Sequence, residues 1–395
     1  MPVDEKLAIL GGCGHVGLPL AVTFASHGAD VTIVDVNASA VAHTNQGTVP
    51  FMERGAEELL KRHLGKNLRA TTDQSAVAAA DVVICVVGTP IDDHLNPQVG
   101  KLLQVVTELI PHLRPDQLFV LRSTVFPGAT AKVADWLDRH VPGIDVAYCP
   151  ERVAQGYAVQ EIESLPQLVS GVSPRAAERA GKLFSHVARK IIFTSTIEAE
   201  LGKLICNSWR YITFAVANQF YALCASNGID YSKVHAAITE DYTRLRGLPT
   251  PGFAAGPCLF KDTMQLAAFY DNEFSLGQTA MLVNEGFPRV LMNQLRSLDL
   301  RDKTVGLLGL AFKGENDDTR ESLAFKMRKL LLLEARRVIS TDEFVKGPDV
   351  LPLEQVLADS DVLVVCAPHK RYATLRPKQP TLDPWNHLGR GGLLL

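Results

Sequence analysis

Apolar runs of strand length alternate with amphipathic stretches over the first half of the chain. Continuous apolar segments predict buried strands at residues 7–11, 31–35, 81–87, 118–121 and 146–148. The stretches between these segments read as helices, the first of them ending near residue 26. Strands that alternate with helices are typical of a parallel, doubly wound sheet, which binds ligands beyond the carboxyl ends of its strands.

From about residue 194 the pattern becomes helical throughout. After one long helix, further helices are predicted at 231–239, 259–270 and 276–298. On the long helix, Glu200, Lys203, Asn207 and Asn218 recur at helical spacing and therefore share one face. The alternative to a functional face is a polar face exposed to solvent. The neighbouring residues are mostly apolar, which leaves this helix little surface for water. A lysine and an asparagine in such surroundings favour a functional role, such as stabilising an oxyanion.

A predicted strand at residues 303–310 opens a second, smaller α/β segment. Further strands are expected at 337–340 and 361–366. This segment has no glycine-rich dinucleotide motif, so its ligand must differ from that of the first. We therefore predict an α/β fold in which two doubly wound Rossmann-like domains are joined by a long central helix and a helical middle domain. The predicted domains are residues 1–194, 195–300 and 301–395.

A glycine-rich turn follows the first predicted strand. A turn of this kind between a strand and a helix lets backbone amides approach a pyrophosphate, and an acid ending the next strand binds the adenosine ribose. The acid also favours NAD over NADP, since it would repel a ribose phosphate. Tight packing of the glycines is the alternative reading. The predicted cofactor-binding residues here are Gly12, Gly14, His15, Val16, Gly17 and Asp35.

Three polar residues follow the carboxyl ends of later predicted strands. Thr89, Thr124 and Glu151 lie where a doubly wound sheet binds its ligand. Each of them alone has an equally good reading as a helix cap or a turn residue.

The stretch from Gly252 to Asp262 contains a candidate nucleophile. Pro257 suits the first turn of a helix, and Cys258 is then expected inside that turn. Free amides and the helix dipole favour a thiolate at this place. Asp262, four residues later, lies on the same helical face and could handle water or a proton. The alternative is a cysteine that serves as a small buried hydrophobe.

Composition excludes several classes of partner. Lys and Arg number 40 against 43 Asp and Glu, a formal net charge of -3, so no basic excess indicates nucleic acid binding. Seven cysteines are an odd count and lie mostly in apolar stretches, which is typical of reduced thiols in a cytoplasm. Neither a signal peptide nor a membrane span is indicated, and no metal is expected.

In this order, the segments resemble the UDP-glucose/GDP-mannose dehydrogenase family over essentially the whole chain. That family oxidises the 6-hydroxymethyl group of a nucleotide-linked hexose to a carboxylate with two NAD⁺. The motifs that carry the resemblance are Gly12-x-Gly14-x-x-Gly17, Ser123-Thr124-Val125, Pro150-Glu151, Lys203-x-x-x-Asn207, Cys258-x-x-Lys261-Asp262 and Phe312-Lys313 with Asp318-x-Arg320.

The resemblance implies covalent catalysis. Cys258 would capture the aldehyde as a thiohemiacetal, which is oxidised to a thioester and then hydrolysed. Asp262 and Glu151 would be the partners of the hydrolytic water, and Thr124 would help to hold it. Lys203 and Asn207 would stabilise the oxyanion.

The resemblance also implies the binding residues. Lys313 and Arg320 would bind the nucleotide diphosphate, and an arginine before the cysteine, Arg244 or alternatively Arg246, would reach the partner subunit's site. The long helix would form the core of a homodimer. Further substrate contacts would come from Glu151, Arg152, Lys203, Asn207, Gly256 and Phe312, and further cofactor contacts from Thr89, Thr124 and Lys261.

Signals for the sugar conflict. Ala255-Gly256 replaces the usual Gly-Gly pair, and Arg152-Val153 resembles the N-acetylhexosamine branch. Lys261 resembles the UDP-glucose branch, and on balance we expect UDP-glucose. The alternatives are a UDP-N-acetylglucosamine or UDP-N-acetylmannosamine 6-dehydrogenase, a two-electron hydroxyacid-type dehydrogenase, and a nucleotide-sugar-binding protein without turnover.

Overall fold

A computed structural model describes residues 4–88, 92 and 98–394 of the chain. Thr89, predicted to bind the cofactor, lies outside the described residues. The strands are β1 (Lys6–Leu10), β2 (Asp30–Val34), β3 (Leu68–Thr71), β4 (Val82–Cys85), β5 (Leu118–Leu121), β6 (Asp145–Tyr148), β7 (Pro166–Gly171), β8 (Lys190–Phe193), β9 (Thr304–Leu308), β10 (Arg337–Thr341), β11 (Val362–Val365) and β12 (Thr381–Leu382).

The helices connect and cover these strands. They are α1 (Gly17–Ser26), α2 (Ala38–Asn45), α3 (Ala56–His63), α4 (Val99–Leu109), α5 (Ala129–His140), α6 (Ala158–Ser164), α7 (Pro174–Ser185), α8 (Thr196–Ser226), α9 (Tyr231–Thr239), α10 (Leu259–Phe269), α11 (Ser275–Leu295), α12 (Leu323–Leu331) and α13 (Leu353–Asp359). Within the described residues, none of these helices is both long and apolar enough to span a membrane.

The chain divides into two compact units, Met1–Cys206 and Asn207–Leu395, and α8 runs through the boundary. The first unit contains an eight-stranded sheet in the order β3-β2-β1-β4-β5-β6-β7-β8. Alternate residues of β1 point to opposite faces: Leu7 and Ile9 pack with α1 and α7, while Ala8 and Leu10 pack with α4 and α5. Both faces are therefore covered, as the doubly wound prediction requires.

One strand pair departs from the predicted parallel sheet. β7 pairs antiparallel with β6, although the other pairs of the sheet are parallel. The segment Pro166–Gly171 mixes polar and apolar residues, so it lacks the continuous apolar run used to predict the strands of this sheet. The sequence pattern therefore missed β7, and with it the change of direction.

The second unit contains a four-stranded parallel sheet in the order β10-β9-β11-β12. Its core joins this sheet to the helices: Tyr221 of α8, Phe287 of α11 and Met327 of α12 pack with Leu307 of β9 in one cluster. α13 covers the other face, where Val356 packs with Leu308. The helical middle segment and the small α/β segment thus share one hydrophobic core.

Candidate active site

The glycine-rich turn fits a dinucleotide. A Cβ on Gly17 would lie 2.4 Å from Gly12 Cα, and one on Gly12 would lie 2.7 Å from Ile9 O, so both glycines are required for packing. A Cβ on Gly14 would lie 3.8 Å from its nearest neighbour, Gly11 O, so that glycine faces open space. A pyrophosphate can approach the backbone closely at Gly14, because Gly12 and Gly17 pack the turn tightly on either side of it.

Asp35 follows β2 and is oriented by the same turn. Its Oδ2 accepts a hydrogen bond from Cys13 N at 3.0 Å, and its Oδ1 accepts one from Asn37 N at 2.9 Å. His15 stacks on Phe51 with ring centroids 4.0 Å apart. A fixed carboxylate and the amides at the start of α1 are the groups that bind the ribose and pyrophosphate of NAD. The residues present therefore fit this cofactor.

The second unit has an acid at the corresponding place, directly after β10, but its carboxylate is fully engaged. Asp342 Oδ2 accepts hydrogen bonds from Leu310 N at 2.6 Å and Ala311 N at 3.0 Å, and lies 3.1 Å from His369 Nε2. Although burial raises the pKa of Asp342, these bonds and the charge of His369 lower it to about 2. Since no part of this carboxylate is exposed, the small sheet does not offer it to a ribose.

Glu151 is buried beyond the end of β6. Its Oε2 accepts a hydrogen bond from Arg122 Nη2 at 2.6 Å, and its Oε1 accepts the amides of Arg152 and Val153 at 2.5 and 2.7 Å. Burial raises the pKa of Glu151, but Arg122, the two amides and the nearby Lys203 together lower it. Of the predicted residues, the first unit thus brings Glu151, Arg152 and Lys203 together. Thr124, partly buried, follows β5.

The four polar residues predicted to share one face of α8 are all buried, and two of them have structural partners. Glu200 accepts hydrogen bonds from Gly128 N at 2.6 Å and from Thr130 N at 2.8 Å, so it caps the start of α5. Asn218 accepts a hydrogen bond from Gly252 N at 2.8 Å through its Oδ1. It therefore holds the loop that leads to the cysteine.

Cys258 is the N-cap of α10, and the prediction that it lies inside the first turn is wrong by one residue. Its ψ of -48° is helical, but α10 begins at Leu259 and Pro257 precedes the cap. The side chain is exposed. Cys258 still lies at the N-terminus of α10, beside the amides of its first turn.

Asp262 follows Cys258 by one helical turn and is completely buried. Asn207 Nδ2 donates a hydrogen bond to Asp262 Oδ2 at 2.6 Å, and Lys261 Nζ lies 3.5 Å from Oδ1. The amide of Asp262 donates to Cys258 O at 2.9 Å, which fixes the two residues in one helical turn. The second unit thus brings together the predicted nucleophile Cys258, the predicted acid Asp262 and Asn207, with Lys261, the lysine expected to contact the cofactor, beside them.

The cysteine loop is held at both ends by positions that admit only glycine. A Cβ on Gly252 would lie 2.4 Å from the ring of Trp385, and one on Gly256 would lie 2.7 Å from the ring of Phe312. Both glycines have positive φ angles, 153° and 103°. Gly256 N also donates to Glu321 O at 3.4 Å. The loop therefore has little freedom to move the sulfur.

The predicted phosphate-binding cations occupy different settings. Arg320 forms a bidentate pair with Asp318, with Nη2 at 2.6 Å from Oδ2. The hydrogen bonds that Arg320 donates to Asp318 raise the pKa of Arg320, burial lowers it, and the negative charges of Asp318 and Cys258 raise it further. Lys313 Nζ lies 5.7 Å from the ring centroid of Phe312. Arg244, predicted to reach the partner subunit's site, is exposed.

A cavity of about 370 Å³ lies beside the cysteine loop in the second unit. Ala254, Ala255 and Gly256 form one side of it, and Glu285 and Lys326, whose charged atoms are 3.0 Å apart, contribute its paired charges. No local pattern predicted this cavity, since α10, α11 and the start of α12 form its other walls.

Sequence reasoning also missed Arg122, Asn284 and Trp385. A basic residue directly after the buried strand β5 was a usable signal for Arg122. Asn284, which accepts a hydrogen bond from Asn218 Nδ2 at 3.0 Å, and Trp385 depend on long-range packing that no local pattern reveals.

Three family models match successive parts of the chain. They describe the NAD binding, central and UDP binding domains of the UDP-glucose/GDP-mannose dehydrogenase family and match residues 5–188, 197–286 and 306–386. Fold and site thus define an NAD-dependent nucleotide-sugar dehydrogenase, an oxidoreductase. The chain belongs to the UDP-glucose/GDP-mannose dehydrogenase family.

Individual relatives resemble the chain along nearly its whole length. The UDP-N-acetyl-D-mannosamine dehydrogenase of Pyrococcus horikoshii is 30% identical and aligns over 98% of this chain and 92% of its own. The NDP-N-acetyl-D-galactosaminuronic acid dehydrogenase of Ralstonia nicotianae is 28% identical over 94% of this chain and 93% of its own. A UDP-glucose dehydrogenase structure from Pyrobaculum islandicum superposes with a TM-score of 0.89 at 28% identity, covering 97% and 95%.

Proposed function

We propose that the enzyme oxidises the 6-hydroxymethyl group of a UDP-N-acetylhexosamine to a carboxylate through a thioester on Cys258. The observation that carries the four-electron reaction is the exposed cysteine that caps α10 above the buried pair of Asp262 and Asn207. The acetamido sugar is supported by the names of several relatives and by Arg152-Val153 after the Pro-Glu motif.

UDP-glucose is the second candidate substrate. Lys261 in the Cys-x-x-Lys-Asp motif favours it, and so does the likeness to a UDP-glucose dehydrogenase structure. The sequence favoured this sugar, but the names of two relatives that align over 98% and 94% of the chain shift the preference to the acetamido sugar.

In the proposed mechanism, the Cys258 thiolate attacks the C6 aldehyde and forms a carbon–sulfur bond. The amides at the start of α10 and the guanidinium of Arg320 stabilise this thiolate. When bound, NAD⁺ accepts one hydride in each of the two oxidations. Covalent capture keeps the aldehyde from leaving between them.

We assign hydrolysis of the thioester to Asp262, Asn207 and Lys203. Water attacks the carbonyl carbon, a carbon–oxygen bond forms, and the carbon–sulfur bond breaks to release the thiolate. Asp262 is placed to take the proton of that water, because Asn207 orients its carboxylate. The second N–H of the Asn207 amide and the ammonium of Lys203, one turn earlier on α8, are left to stabilise the oxyanion.

The proposal assigns a task to each predicted domain. Residues 1–194 would bind NAD, with Thr124 and Lys261 adding cofactor contacts. Residues 195–300 would supply the cysteine and the subunit contact, and residues 301–395 would bind the UDP moiety through Phe312, Lys313 and Arg320.

A homodimer is part of the proposal. α8 exposes an apolar stripe in the second unit, in which Trp209 is 66% and Leu223 60% exposed, with Val216 and Phe220 between them. A stripe of this kind on a long helix is suited to packing against its copy. Arg244, or alternatively Arg246, would then reach the partner subunit's site.

Leu223→Glu is expected to dissociate the dimer, because it places a charge in an apolar contact. Sedimentation velocity at micromolar concentration should show the wild type as a dimer and this variant mainly as a monomer. Leu333→Glu, at a residue 82% exposed outside the stripe, is the matched control and should remain dimeric. A monomeric wild type, or a dimer in both variants, would contradict this interface.

The substrate is tested by assaying NAD⁺ reduction with UDP-N-acetylmannosamine, UDP-N-acetylglucosamine and UDP-glucose. We expect two NADH per molecule of acid, and a kcat/KM at least about tenfold higher for an acetamido sugar than for UDP-glucose. Mass determination of the product identifies the acid.

Other outcomes separate the alternatives. A preference for UDP-glucose would reverse the choice of sugar. One NADH per substrate would indicate a two-electron dehydrogenase. Tight binding of both ligands without NADH would indicate a protein that binds nucleotide sugars without turnover.

A further inference from the structure

A buried glutamine without partners lies one turn beyond Asp262 on α10. Gln265 is 1% exposed, and neither its amide nitrogen nor its amide oxygen has a hydrogen-bond partner among the described residues. The buried amide of Asn218, in contrast, donates to Asn284 and accepts from Gly252. An amide buried without partners destabilises the fold, because it loses its hydrogen bonds to water. An apolar side chain would serve packing better, so packing alone does not explain Gln265.

One carboxylate oxygen of Asp262 is in the same situation. Its Oδ2 accepts a hydrogen bond from Asn207 Nδ2 at 2.6 Å. Its Oδ1 is buried and accepts no hydrogen bond within the part of the chain that the structure describes, although Lys261 Nζ lies 3.5 Å away. A buried carboxylate is stabilised when both of its oxygens accept hydrogen bonds. Oδ1 therefore needs a donor that no described side chain supplies.

The spacing on α10 brings these two polar groups close together. Residues three apart on a helix have Cβ atoms about 5–6 Å apart. Helical side chains also lean toward the N-terminus of their helix, which directs the Gln265 amide toward the turn that carries Asp262. The two groups nevertheless do not bond directly. A single water molecule between them would hydrogen-bond to both, as internal waters do between buried polar groups.

We propose that Gln265 is a positioning residue whose amide holds one internal water against Asp262 Oδ1, so that the carboxyl group is oriented from both sides for hydrolysis of the thioester. Asn207 holds Oδ2, and the water, which accepts from Gln265 Nε2, donates to Oδ1. Because water and an amide both donate and accept, the link persists whether or not the carboxyl group carries a proton. The inference rests on the proposed function and deepens its hydrolytic step.

The first test is the pre-steady-state kinetics of Gln265→Met. Methionine is about as long as glutamine but cannot hold the water. We expect a burst of about two NADH per subunit, a steady-state kcat at least about tenfold below the wild type, and a KM for the nucleotide sugar within about twofold of it. A wild-type kcat in the folded variant would overturn the proposal. So would a burst slowed as strongly as the steady state.

Gln294→Met is the matched control in the same unit. Gln294 has partners, since it donates to Tyr221 Oη at 2.9 Å and accepts from Leu394 N at 3.4 Å. Losing these bonds should lower the melting temperature and leave the steady-state kcat of the folded enzyme unchanged. The same selective loss of hydrolysis in Gln294→Met would show that it follows from destabilising the unit, and would refute a positioning role for Gln265.

The second test looks for the water directly. A high-resolution crystal structure of the wild type should show a water about 2.7–3.2 Å from both Gln265 Nε2 and Asp262 Oδ1, and Gln265→Met should lack it. No water at this place, or direct contact of the amide with Oδ1, would overturn the proposal. This test needs no turnover. Failure of the proposed function is therefore distinguishable, because the wild type would then form no NADH from any of the three nucleotide sugars.

Discussion

Replacing Cys258 by serine is expected to abolish formation of the acid and to lower kcat at least about a thousandfold. A serine hydroxyl is a far poorer nucleophile than a thiolate at neutral pH, and no base is assigned to activate it. The variant should still fold, because Cys258 is the N-cap of α10 and serine is a favoured N-cap residue. Product analysis by mass spectrometry, with NADH measured in a single turnover, checks the loss.

Cys206→Ser is the matched control, since Cys206 is the other exposed cysteine of the described residues and has no assigned role. It should retain wild-type turnover. Cys258→Ser retains the cofactor and sugar sites, so a species at the aldehyde level is the product most expected from it. Full acid production by Cys258→Ser would rule out covalent catalysis through this sulfur.

The parts of the site that could be predicted are those encoded by local spacing. The glycine turn and Asp35 lie within about two dozen residues of each other, and one strand–helix–strand unit fixes their geometry. The bounds of α9, Tyr231–Thr239, agree with the prediction to the residue, because Asp230 caps it through Ser232 N. Local chemistry decides such features before tertiary packing does.

Features that depend on tertiary contacts could not be predicted. Glu200 shares a helix face with Lys203, as expected, but its carboxylate caps α5 because the fold brings Gly128 and Thr130 to it. β7 was missed because its side chains do not form an apolar run. Asp342 follows β10 just as Asp35 follows β2, but its carboxylate is in contact with His369. Spacing identifies residues of suitable chemistry, and only packing shows which of them are already engaged.

Substitution of Asp262 by asparagine is expected to leave the oxidations largely intact and to stall hydrolysis. The carboxylate is completely buried and bonded to Asn207, and an asparagine of the same shape can still accept that hydrogen bond. It cannot accept a proton from water, so the thioester should persist on Cys258. We expect a burst of about two NADH per subunit, followed by steady turnover at least about a hundredfold slower than in the wild type.

The stalled intermediate gives this prediction a direct readout. Intact-protein mass spectrometry should show an adduct on Asp262→Asn in the presence of both ligands, and hydroxylamine should release it, as expected for a thioester. Asp271→Asn is the control: it lies just past the end of α10 with a positive φ that asparagine adopts readily, and it should turn over normally without an adduct. If Asp262→Asn instead slows the first NADH as much as the steady state, its carboxylate acts before the thioester forms, and another group must activate the hydrolytic water.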